Sequence, residues 1–167
     1  MSGFFNLILR GIALVFTIII TGLIGNVIAQ DNNASTSARA AVNFTMFVTA
    51  LSWVVCLYGI VASVISSLAM PIVLLVLDVL GVLFTFISAI VLAARIGNTN
   101  CSKTFGRPAN WIAYGSGNAE HRCRELQASD AFMWFLWATL CGALFLSFKE
   151  MRSPGITRSS RPAMSQV

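Results

Sequence analysis

The sequence predicts an all-α membrane protein, a bundle of four transmembrane helices. Three observations carry this. The chain of 167 residues is 57% hydrophobic and only 10% charged, where a soluble domain has about a quarter of its residues charged. Its mean hydropathy of +0.80 leaves too little polar surface to clothe a water-soluble globule. Its apolar residues also gather into four runs of the length a helix needs to cross a bilayer, about 17–25 residues.

The first run is GIALVFTIIITGLIGNVIA, residues 11–29, with Arg10 just ahead of it. A helix is expected over about 6–29. The tripeptide VIA before Gln30 resembles a signal-peptide cleavage site. The run is nevertheless longer than the roughly 7–15 apolar residues of a signal peptide, and a single positive charge precedes it. It is expected to remain as a membrane helix. The second run, VNFTMFVTALSWVVCLYGIVASV, predicts a helix over about 42–64. No charged residue lies between Arg39 and Asp78, and the break between the second and third helices rests on SSLAMP. Ser66 and Ser67 suit a tight turn, and Pro71 suits the first position of a helix, where its missing N–H costs nothing. The third helix is expected over about 71–94 and the fourth over about 130–148. Glu120 and Arg124 stand four apart in the favourable order for a helical ion pair, so NAEHRCRELQASD can extend the fourth helix at its start. Residues 1–148 then form one transmembrane domain. Residues 149–167 form a basic polar tail, with too few apolar groups to fold alone.

An even number of spans puts both termini on one side and the loops 30–41 and 95–130 on the other. Basic residues divide five to the terminal side and six to the loop side, so the positive-inside rule gives no orientation. The cysteines do. Cys101 and Cys123 share the long loop, whereas Cys56 and Cys141 fall within helices, where they suit packing. A pair in one polar loop predicts a disulfide formed in an oxidising compartment. It would close a loop worth roughly 3 kcal/mol of unfolded-chain entropy. The sequons at Asn33 and Asn100 lie on the same side, close to the membrane. The termini are accordingly expected in the cytosol. There the basic tail would meet an anionic leaflet, each basic residue contributing on the order of 1 kcal/mol of attraction. Ser159 and Ser160, between Arg158 and Arg161, are candidate phosphorylation sites that would cancel it.

Membrane helices associate through small residues that let backbones approach. Thr17, Thr21 and Gly25 recur at a spacing of four in the first helix, and Gly81, Thr85 and Ala89 in the third. These are the expected packing ridges, within the chain or between copies in a homo-oligomer. Two ionisable residues stand inside the membrane zone. Asp78 lies seven residues past Pro71, roughly 10 Å deep at 1.5 Å per residue. Arg10 lies at matching depth if its helix starts near residue 3. A lone carboxylate at bilayer centre costs about 2.5–3.5 kcal/mol. Asp78 shares a face with Gly81 and Thr85, so an ion pair of Arg10 with Asp78 is expected to tie the first helix to the third. The competing reading is a small ion channel or transporter using Asp78, since intramembrane acids mark ion paths.

No catalytic constellation is legible: one histidine, no acid pair, no nucleophile beside a base and no glycine-rich phosphate loop. His121 stands alone, so no metal site is expected, and no cofactor is implied. The net charge of +5 is split between two sides of a membrane, which argues against nucleic-acid binding. Three stretches resemble one family. PIVLLVLDVLGVLFTFISAIVLA, HRCRELQASDAF and the final SQV are similar to the fungal non-classical export proteins of the MARVEL four-helix family. Claudins, with a long cysteine-bearing first loop, and tetraspanins, with CCG in the large loop, fit less well. The resemblance implies a non-catalytic plasma-membrane protein that helps form lateral compartments and furrow-like eisosomes. It also implies a response to sphingolipids and a link to protein export without a signal peptide. The partners it implies are membrane lipids, a sphingolipid or sterol among them, and cytosolic cortex proteins met by the tail.

Overall fold

A computed structural model describes residues 2–65, 70–97, 100–102, 106 and 108–152. Its elements are α1 (Ser2–Ala29), α2 (Thr36–Val64), α3 (Pro71–Ile96) and α4 (Ala119–Arg152). All four carry stretches long and apolar enough to span a membrane. The turn expected at Ser66 and Ser67, the tail from residue 153 with Ser159 and Ser160, and the final SQV lie outside the described residues.

Three helices begin earlier than expected. α1 starts at Ser2 rather than near residue 6. α2 starts at Thr36 rather than 42, because Ser35 caps it: the Ala38 N–H donates to Ser35 Oγ at 3.3 Å. The polar turn TSARA then continues into the apolar span, so the first loop shrinks to residues 30–35. α4 starts at Ala119, as the Glu120–Arg124 spacing allows. Asn118 caps it by accepting from the His121 N–H at 3.1 Å, and Glu120 sits in the first turn, where a carboxylate favours the helix dipole. α3 starts on Pro71 and ends at Gly97, which takes a positive φ of 67°.

The helices form a closed square. α1 packs against α2 and α4, and α3 packs against α2 and α4. α1 and α3 therefore face each other across the diagonal. The buried residues of α1 are Asn6, Arg10, Ala13, Thr17, Ile20, Ile24 and Val27. Their steps alternate between four and three, the spacing that keeps a seam on one side of a left-handed bundle. The strict step of four expected for α1 drifts. Four residues at about 100° each overshoot a full turn by about 40°. Thr17 is accordingly buried and Thr21 half-buried, while Gly25 is turned to a side where an added Cβ would meet nothing. Within the chain, Gly25 is not a packing position. On α3, Gly81, Thr85 and Ala89 are all buried, since the next buried positions, Leu92 and Ile96, restore the helical period. Gly81 packs against Val55 and Leu140.

Apolar surroundings demand that buried hydroxyls find partners. Thr17, Thr45, Thr49, Ser52 and Thr85 each donate to the carbonyl four residues back, at 2.7–3.0 Å. Ser88 Oγ reaches across from α3 to Thr45 Oγ1 of α2 at 3.2 Å. The large residues that remain exposed, such as Phe47, Leu83, Phe135 and Phe145, lie on the outer face, where lipid is their solvent.

Candidate functional site

The terminal half of the bundle holds a charged network in an otherwise apolar interior. Arg10 comes from α1 and is 0% exposed, and Asp78 comes from α3 and is 1% exposed. Arg10 Nη2 donates to Asp78 Oδ2 at 2.7 Å, a short charge-assisted bond. Arg10 Nε donates to Asn6 Oδ1 at 3.1 Å, one turn earlier on the same helix. Its Nη1 donates to the Val55 carbonyl of α2 at 3.4 Å. Ser147 of α4 closes the ring. Its Oγ donates to Asp78 Oδ2 at 3.1 Å and accepts from Arg10 Nη2 and Asn6 Nδ2, each at 3.4 Å. Every helix thus contributes a group to one guanidinium–carboxylate centre.

The sequence placed Arg10 and Asp78 at one depth, and the structure brings them together. It does so across the diagonal of the square, between helices whose backbones are not neighbours, rather than along an α1–α3 seam. Three participants were not anticipated. Gly59 leaves the space that the Arg10 guanidinium occupies, and a Cβ there would overlap Arg10. Asn6 and Ser147 supply polar contacts. Asn6 carried a signal, an amide four residues before a membrane arginine. Ser147 carried none, because an isolated serine in FLSF looks like any other. Asp78 Oδ1 is buried without a hydrogen-bond partner.

The loop end is built differently. Cys101 and Cys123 form a disulfide with Cα atoms 5.7 Å apart. Cys123 lies in α4 rather than in a loop, so the bond pins the long connection to a helix. Trp111, Ile112 and Ala113 of that connection are buried, and Trp111 Nε1 donates to the Ile96 carbonyl at the end of α3 at 3.2 Å. The Gly115 carbonyl accepts from the Asn32 and Asn33 N–H groups at 2.8 and 3.2 Å. Gly115 has φ of 107° and lies against Ala34, where a side chain would collide with backbone. The two loops are therefore joined.

Charges reinforce this cap. Asp31 accepts from Arg39 Nε at 2.9 Å and from the Ala34 N–H at 2.9 Å. Arg122 Nη1 stands 3.8 Å from Asp31. Partial burial raises the Asp31 pKa, but the Ala34 and Arg39 hydrogen bonds and the nearby positive charges of Arg122 and Arg39 outweigh it. The group is held below its ordinary value of 3.8. Arg122 is 1% exposed. Nothing in one sequence separated it from exposed Arg124, which pairs with Glu120 at 2.6 Å. Asn26 Nδ2 of α1 donates to Glu125 Oε1 of α4. The sequon asparagines, Asn33 and Asn100, are both exposed, and the residue after each, Ala34 or Cys101, is buried.

The comparisons with known proteins agree with this architecture. A family profile described as MARVEL, a membrane-associating domain, matches residues 3–146. The chain is 36% identical over 149 residues to "Non-classical export protein 2" of Saccharomyces cerevisiae, covering 89% of this chain and 82% of that protein. It is 38% identical over 129 residues to that yeast's "Non-classical export protein 2 homolog 1", covering 77% and 70%. It is 34% identical to "Non-classical export protein 102" of Candida albicans over 97% of both chains. No solved structure matches.

Proposed function

Because the chain belongs to the MARVEL family of membrane-associating domains, we propose that it is a non-catalytic organiser of the plasma membrane. In this reading both termini lie in the cytosol. The protein scaffolds lateral, eisosome-like compartments, responds to sphingolipids and serves export that bypasses the signal-peptide route. Like copies and cortex proteins meeting the tail are its partners.

The observation that carries this reading is the charged centre. Groups from all four helices bond to one another at Arg10 and Asp78, with Asp78 Oδ1 left over, which supports a centre that ties helices together. What remains outward is apolar surface suited to lipid. The disulfide-pinned cap supports placing the loops outside, in an oxidising compartment. The relatives' names support the link to export. The fluorescently tagged full chain, imaged in living fungal cells with intact eisosomes, should concentrate in plasma-membrane patches. A uniform distribution over the plasma membrane would remove the organising role.

One observation favours a second reading, a small channel or transporter: Asp78 Oδ1 is buried and unpartnered. Proteoliposome flux separates the two. An ion flux that Asp78→Asn abolishes would replace the organiser with a transporter.

A further inference from the structure

The outer surface of the bundle carries a groove between α3 and α4, in the half that holds both termini. It is lined by Leu75 and Val79 of α3 and by Cys141, Leu144, Phe145 and Phe148 of α4, with a volume of about 380 Å³. Its lining is apolar because the polar groups of these turns point the other way: Asp78 and Ser147 face the centre and bond to each other there. Lys149, exposed, follows Phe145 by one helical turn on the same face.

We propose that this groove binds one acyl chain of an anionic phospholipid, from the leaflet that meets the termini, with the headgroup held by Lys149. Three features fit that occupant. The groove's α4 wall runs from Cys141 to Phe148, eight residues or roughly 12 Å of helix, most of one leaflet's share of a hydrocarbon core about 30 Å thick, and exposed Lys149 is the next residue. Its volume suits a single tail. The only charge at its mouth whose side chain is described is positive, and a lysine at a helix end reaches toward the headgroups while its methylenes cover apolar surface. A neutral lipid would fill the groove without using Lys149. The proposal needs only that the bundle spans a membrane, so it stands or falls apart from the organising role.

The full chain, reconstituted in nanodiscs of phosphatidylcholine, would be photolabelled with phosphatidylserine carrying a diazirine in its tail. Phosphatidylcholine with the same tail serves as the comparison. Peptide mass spectrometry should place adducts mainly in residues 75–79 and 141–148. The serine lipid should exceed the choline lipid there by about fivefold, the effect of one basic residue near an anionic headgroup. Lys149→Gln should remove the preference and keep the adducts. Cys141→Phe, which fills the groove, should deplete both lipids there while α1 and α2 keep their labelling. Val79→Phe gives the same reading should Cys141→Phe not fold. Adducts spread evenly around the bundle would overturn the proposal, as would equal labelling by the two lipids. So would a preference that survives Lys149→Gln, or crosslinks that place a second copy in the groove.

Discussion

Arg10 and Asp78 show how one residue's energetics depend on its partners. Removing one member of a buried ion pair leaves the other charged and unpaired, which costs about 3–5 kcal/mol. Asp78→Leu is expected to lose that much in an unfolding titration in mixed detergent–lipid micelles. The double variant Arg10→Met/Asp78→Leu should recover most of it, because neither charge is then buried. A charge exchange, Arg10→Asp with Asp78→Arg, should express better than either single change. If it expresses no better, the pair contributes nothing to assembly. Gly59→Ala should cost about 1–3 kcal/mol by forcing the guanidinium out of its place, with no charge altered. The pair was legible from sequence because depth follows from counting residues along an apolar run. Gly59 and Ser147 were not, because their roles depend on the rotation of α2 and α4 about their axes, which small residues at ambiguous spacings do not define.

At the scale of the element, the cap is held by a covalent and an ionic device. Cys101→Ser is expected to cost roughly 3 kcal/mol through the freed loop, read as a lower unfolding midpoint and as loss of the mobility difference between reduced and oxidised chains on a gel. Asp31 contributes in a defined pH window. Its folded pKa lies below the ordinary 3.8, so the contribution is fully present above that value and is lost as pH falls through the lower, folded one. The protection of the Ala34 amide against hydrogen exchange, taken relative to the unfolded-chain rate at each pH, should therefore fall in that acid range, and Asp31→Asn should remove this loss. The helices' existence was readable in the apolar runs. Helix starts and apolar runs part where polar residues continue a helix beyond the run: at 36–41, which the sequence reading missed, and at 119–130, which the Glu120–Arg124 spacing signalled. Hydropathy marks where lipid ends, whereas the caps at Ser35 and Asn118 mark where the helix ends.

For the whole molecule, four apolar runs sufficed to give the number of spans and the relation of the termini, but not the ring order. Short links between consecutive spans favour neighbours, yet α1 meets α4 as well because the square closes. Closure puts α1 and α3 on a diagonal, and this has a consequence for synthesis. Asp78 follows Arg10 by 68 residues. A nascent chain that has delivered only α1 and α2 carries an unmatched cation in a span that must still leave the insertion machinery, against a penalty that reaches about 2.5–3.5 kcal/mol at bilayer centre and is smaller at the depth of Arg10. The first helix is expected to settle at its final depth only when the third emerges. A ribosome stalled between the two would hold an arginine waiting for its acid.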